Sequence, residues 1–147
     1  MPLTELDVRT FIFATAARTG LIPQAAEIAT SLAASVDDVN AVVAALARQR
    51  MIVLAPNDGA IWAAEPFCAT PTPFRVEAGG VKYWALCIWD ALGVPAALNG
   101  DGVISTTCGD CGAAMQLEVE DGALLTRESV VHFGVPARKF WENLAFT

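Results

Sequence analysis

Met51-Ile52-Val53-Leu54, the turn Pro56-Asn57-Asp58-Gly59 and Ile61-Trp62-Ala63 decide the fold class, because two short apolar runs around such a turn read as a β-hairpin. What precedes them reads as helical. Val8, Phe11, Ile12 and Thr15 fall on one helical face, and a turn at Thr19-Gly20 and Pro23 leads into a short helix at Gln24–Ser31. Ser35 with Asp38 three residues on has a capping-box arrangement. The helix it opens puts Val36, Val39, Val43 and Leu46 on one stripe and ends at Arg48-Gln49-Arg50, where cations suit the helix dipole. Three helices and a hairpin make a winged-helix-like unit over residues 1–65.

Beyond it, Pro66, Pro71 and Pro73 mark a connector across the surface. Phe74–Glu77, the Ala78-Gly79-Gly80 turn and Val81–Tyr83 read as a second hairpin. A short helix is expected over Trp84–Leu92, stopped by Gly93 and Pro95. Strand signals follow at Val103–Thr107, Met115–Val119 and Val130–Phe133, and Pro136 opens a last short helix containing Phe140 and Trp141. The chain is therefore expected to be α+β: the front unit, then a small mixed-sheet core with short helices over residues 66–147.

Composition narrows the function classes. Of 147 residues, 54% are hydrophobic and 17% charged, with a mean hydropathy of +0.46, the reverse of a disordered chain. No apolar run approaches the roughly 20 residues of a membrane-spanning helix. Met1-Pro2-Leu3-Thr4-Glu5 carries an acid and no basic region, so it does not read as a secretory signal, and a cytoplasmic location is expected. The net charge of −7 repels phosphate backbones and anionic membranes, so neither nucleic acid nor membrane is an expected partner. Residues 1–66 hold seven acids against four bases, and Asp37 and Asp38 occupy the start of the would-be recognition helix. A structural role for the front unit is favoured over DNA reading.

The residues that can carry chemistry are few. In Tyr83-Trp84-Ala85-Leu86-Cys87-Ile88-Trp89-Asp90, the Cys87 thiol and the Asp90 carboxyl are three apart, on one helical face if the segment is helical. Aromatic neighbours that exclude water would raise the carboxyl pKa until it serves as a proton donor. A thiolate there is a soft nucleophile and a soft-metal ligand. A buried structural cysteine beside an unrelated surface aspartate fits the same spacing. Cys108-Gly109-Asp110-Cys111-Gly112 is half of a zinc knuckle, and the rest of the chain offers only Cys68, Cys87 and His132 as further ligands. A structural turn, a soft-metal relay and zinc all remain open for this pair. His132, the only histidine, lies in an apolar run and reads as a packing residue.

These residues resemble the alkylmercury (organomercurial) lyase family. The resemblance is carried by Pro66-Phe67-Cys68-Ala69-Thr70-Pro71-Thr72-Pro73-Phe74-Arg75-Val76, by Trp84-Ala85-Leu86-Cys87-Ile88-Trp89-Asp90-Ala91-Leu92-Gly93, by Cys108–Gly112 and by the tail Val131–Trp141. The quoted stretches run from Pro66 to Trp141. The family's C-x-x-D motif falls on Cys87 and Asp90. The resemblance implies that Cys87 binds the mercury of an organomercurial and that Asp90 delivers the proton releasing the hydrocarbon. It implies mercury resistance by detoxification, low-molecular-weight thiols and a mercuric reductase as partners, and no cofactor, mercury being substrate and product. Cys108 and Cys111 are candidate mercury ligands beside Cys87.

Family members place a second catalytic cysteine shortly after the tail's Phe-Thr. This sequence stops at Phe146-Thr147, so that cysteine is not in this chain and the core reads as truncated. Two alternatives to an enzyme follow: a non-catalytic soft-metal binder of the same fold, and a metal-responsive transcriptional regulator, which the acidic front unit disfavours. The front unit is expected to give no sequence-selective shift of duplex DNA at submicromolar protein; a salt-sensitive, selective gel shift would overturn that expectation.

Overall fold

The computed structural model describes residues 3–125 and 128–144. Phe146 and Thr147, next to which the family's second cysteine is expected, lie outside the described residues.

Three helices open the chain: α1 (Glu5–Thr19), α2 (Ala25–Leu32) and α3 (Val36–Arg48). Their starts are fixed by local hydrogen bonds. Thr4 Oγ1 accepts the Asp7 amide at 3.2 Å while Asp7 Oδ2 accepts the Thr4 amide at 3.0 Å, a reciprocal cap. Ser35 Oγ accepts the Asp38 amide at 3.0 Å, at the cap expected from the sequence. Val8, Ile12 and Ala16 of α1 and Val39, Val43 and Leu46 of α3 are buried. Val36, expected on the α3 stripe, is instead 44% exposed, because it stands at the first helical position, before the buried face begins.

The rest is one antiparallel sheet in the order β1-β2-β3-β5-β4-β6-β7-β8. The strands are β1 (Val53–Leu54), β2 (Ile61–Ala64), β3 (Phe67–Cys68), β4 (Phe74–Ala78), β5 (Val81–Ala85), β6 (Gly102–Thr107), β7 (Ala114–Glu120) and β8 (Ala123–Leu124). Helix α4 (Ile88–Leu98) lies against β4, β5 and β6. A 3-10 turn over Ala137–Glu142 follows Pro136. Every pairing among the described residues is antiparallel, so the expected mixed sheet is corrected: hairpins link most neighbours, and none of these pairings is parallel.

Four further expectations change. Trp84 does not begin a helix; Val81–Ala85 alternates, with Tyr83 and Ala85 buried, and pairs with β4 to its end. Helix α4 starts later, at Ile88, and runs through Gly93 and Pro95 to Leu98. An interior proline costs about 3 kcal/mol in an exposed helix, but the Pro95 ring is fully buried against Gly102, where a Cβ would come within 2.7 Å of its Cγ. The proline-rich connector is not wholly a surface crossing, since Phe67 and Cys68 form β3 inside the sheet. Val130–Phe133 is not a strand: no ladder partner reaches it, and Val130 is 92% exposed.

Helices and sheet share one core, from Val8, Ile12 and Ile28 through Ile61 and Tyr83 to Ile104 and Leu117. Two polar ties lock the seam. The Gln24 side chain accepts the Ile61 amide at 2.9 Å and donates to the Ile61 carbonyl at 3.0 Å. Tyr83 Oη donates to the Ala17 carbonyl at 2.6 Å. Gly20 ends α1 with φ of +75°, and a Cβ there would collide with the Lys82 carbonyl oxygen. Gly20→Ala should therefore destabilise the protein by about 2 kcal/mol or more, read as a lower urea midpoint at unchanged slope; a loss below about 0.5 kcal/mol would show that the seam is not tight.

Candidate active site

Cys87 sits where β5 hands over to α4. Its backbone is extended (φ −145°, ψ 179°), it occupies the N-cap position, and its carbonyl accepts the Ala91 amide at 2.9 Å. Asp90 follows in the first turn. This cap geometry brings the two side chains together: the Cys87 thiol donates to Asp90 Oδ2 across 3.6 Å. The approach to the cap is fixed by Thr72, whose hydroxyl donates to the Ala85 carbonyl at 2.5 Å and accepts the Phe74 amide at 3.1 Å.

Both groups face a cavity of about 90 Å³ that also exposes Glu65. Its apolar wall is Leu86 and Trp89 from the handover, with Phe133, Phe140 and Leu144 from the tail. The Phe133 and Phe140 rings pack 5.2 Å apart, and Arg50 lies 5.4 Å over the Trp141 ring, so the tail is held against the end of the front unit. Larger concavities, about 590 and 700 Å³, have no cysteine in their linings.

Electrostatics sets the protonation states. Burial, reinforced by the nearby Glu65 charge, pushes Asp90 up to about 6, against a partial downward pull from the Cys87 hydrogen bond. Burial likewise raises Cys87; the amides of Asp90 and Trp89 pull its thiol the other way, and the Asp90 charge adds to the rise. Glu65, although much of its surface meets solvent, is also raised by desolvation. The resting pair is thus a neutral thiol hydrogen-bonded to a carboxylate that is reluctant to stay charged. Such a pair can pass a proton from sulfur to oxygen and then hand it on.

Glu65 was missed in the sequence because it lies outside the Cys87–Asp90 segment, before β3, and reaches the site only through the fold. No local signal marks it; the fold brings it there, with the neighbouring Pro66 ring packed so near Gly93 of α4 that a Cβ would lie 3.3 Å from it. The remaining sequence candidates fall elsewhere. Cys68 is buried in β3 opposite Trp84, with its sulfur 3.6 Å from Thr70 Oγ1. His132 is exposed on the irregular segment and is not the packing residue expected. Cys108 and Cys111 stand on the β6–β7 turn. There the amides of Cys111 and then Asp110, followed by the Cys111 thiol, hold the Cys108 pKa below the usual thiol value. Among the described residues no group of three or more His, Cys, Asp or Glu side chains is placed to hold a metal ion. No single described helix is long and apolar enough to cross a membrane.

Comparison with known proteins bears on the fold and the family. The crystal structure of the mercury-bound form of MerB2 superposes with a TM-score of 0.63 at 26% identity, over 83% of this chain. The chain spans 58% of the length of that relative. No curated protein sequence matches. The family model MerB, alkylmercury lyase, matches residues 67–147, which include Cys87, Asp90 and the β6–β7 turn. As that match takes in more than half of the chain, the protein belongs to the alkylmercury lyase family.

Proposed function

We propose that this chain acts on organomercurials as a lyase-like protein, with Cys87 as the capturing thiol and Asp90 as the proton carrier. The observation that carries the reading is the Cys87-to-Asp90 hydrogen bond inside a small, largely apolar cavity. A monoalkyl or monoaryl mercury cation is compact and very soft, and it prefers thiolate to oxygen or nitrogen donors. As the thiol meets mercury, its proton passes to the Asp90 carboxylate, sulfur bonds to the metal and the substrate's original anionic ligand departs. A thiolate from solution then binds the same mercury and raises the electron density on the bonded carbon. Asp90 gives its proton to that carbon, the carbon–mercury bond breaks, hydrocarbon leaves, and mercury(II) remains between two sulfurs. The aspartate ends as the carboxylate it began as.

The surrounding residues support this cycle. Leu86, Trp89, Phe133, Phe140 and Leu144 give the organic group an apolar seat and keep water from the carboxyl. Glu65 favours the protonated state of Asp90 between the two steps. Low-molecular-weight thiols supply the solution thiolate, and a mercuric reductase is a fitting acceptor of the product in a cytoplasmic detoxification route. The front unit over residues 1–65 serves as a winged-helix-like support rather than a DNA reader.

Cys87→Ser should abolish tight capture of phenylmercury, read by mass spectrometry of the adduct. Asp90→Ala should keep capture and lower benzene release by roughly 10²–10⁴-fold; undiminished release would remove Asp90 from the mechanism. The pH dependence has a definite sign. Because Asp90 must be ionised to accept the thiol proton, capture by the parent chain should accelerate as pH rises through about 6. Asp90→Asn should lose that step and follow only the titration of the thiol, which lies above its usual range. Superimposable stopped-flow profiles for parent and variant would exclude the relay.

A further inference from the structure

The β6–β7 turn carries a pair of thiols that the Cys87 chemistry does not use. Cys108 follows the last residue of β6, Thr107, and the turn is closed by two backbone bonds, Cys108 N to the Ala113 carbonyl at 2.8 Å and Gly112 N to the Cys108 carbonyl at 2.9 Å. Gly112 adopts φ of +72°, the left-handed conformation that lets so short a turn return. These backbone bonds fold Cys108 and Cys111, three residues apart, onto one short turn, where the neighbouring amides and the Cys111 thiol favour the Cys108 thiolate. Both thiols therefore sit on one hydrogen-bonded turn, and neither is in a disulfide. Cys111 is exposed and Cys108 partly so.

Sheet register fixes where this turn lies. Phe74 of β4 pairs with Ala85 of β5, and the neighbouring Arg75 pairs with Ser105 of β6. The ends of β5 and β6 thus emerge at the same edge of the sheet, on either side of β4, about 10 Å apart laterally. Cys87 follows one end and Cys108 the other.

We propose that Cys108 and Cys111 form a dithiol site for inorganic mercury(II), distinct from the Cys87 site at the same sheet edge. Coordination number makes the choice. Structural zinc needs four ligands, and no third is placed beside this pair among the described residues. Mercury(II) is soft and is satisfied by two thiolates. An organomercury cation already spends one position on carbon, so a single thiolate such as that of Cys87 suffices to capture it. The exchange is a ligand substitution without redox change. A bis-thiol complex of mercury(II) meets the two protein thiols, two Cys–mercury bonds replace two others, and the protein's protons leave on the released thiols. The inference extends the reading of Cys87 by giving the liberated ion a place to go, but the site rests on the turn alone.

The test uses the full 147-residue chain and mercuric chloride in competition with excess glutathione, read by thiolate-to-mercury charge-transfer absorbance and by metal retained per chain. A Cys68→Ser, Cys87→Ser double variant should still retain one mercury(II). Cys108→Ser or Cys111→Ser should weaken mercury(II) retention by about 100-fold, because the second sulfur binds intramolecularly. Phenylmercury capture at Cys87 should be unaffected, and near-UV circular dichroism should be unchanged. If the doubly substituted turn retains mercury(II) as well as the parent chain, the dithiol site is wrong. That result would leave the Cys87 reading standing. Loss of phenylmercury capture as the sole consequence of Cys87→Ser would support both.

Discussion

Helix α4 lies close on the sheet where side chains are missing beneath and beside it. Gly102 leaves room for the Pro95 ring, and Gly93 leaves room for Pro66. With the helix seated this closely, its first turn is delivered to the edge where β5 ends, and the N-cap falls on Cys87. The thiol, the carboxyl three residues on and the incoming Glu65 all inherit their positions from that seating. Without it, Ala91, Val94 and Pro95 would lose their burial and the cap would have no fixed relation to the sheet.

Desolvation and hydrogen bonding oppose one another at the cap, and desolvation wins for both groups. A helix N-terminus ordinarily favours anions, and the amides of Trp89 and Asp90 do pull the thiol in that direction. The apolar wall outweighs them. Cys87 rests as a thiol, and Asp90 titrates near neutrality rather than as an ordinary surface acid. At the β6–β7 turn the balance is reversed. Cys108 has little around it to exclude water, so its amide donors prevail and the sulfur is more easily ionised. Two thiol environments of opposite character therefore occupy one edge of the same sheet.

Much of this was legible in the chain. The Pro-Asn-Asp-Gly turn, the Ser35 cap and the Val103–Thr107 and Met115–Val119 strands all stand where local chemistry puts them. The C-x-x-D pair was legible as a spacing, but not as a cap. The run Trp84-Ala85-Leu86-Cys87-Ile88-Trp89 is apolar throughout and has no period to mark where strand becomes helix. Pro95 looked like a stop because local pattern does not show that its ring will be buried against Gly102 once the chain turns back into β6. Val130–Phe133 has the composition of a strand without a neighbour to pair with, a condition that only tertiary structure decides. Glu65 belongs to the same class: nothing in its own surroundings announces that it will face Asp90.

The cavity is assembled from two parts of the chain with different duties. Its reactive groups come from the cap of α4 and the residue before β3, while Phe133, Phe140 and Leu144 come from the tail, tied to the front unit through Trp141 and Arg50. The tail thus supplies part of the wall and none of its titratable groups. Exchange of the tail's side chains can widen or narrow the cavity while the acid and thiol remain in place. The volume beside the pair is thus free to vary along the tail without disturbing the cap that holds the thiol and carboxyl together.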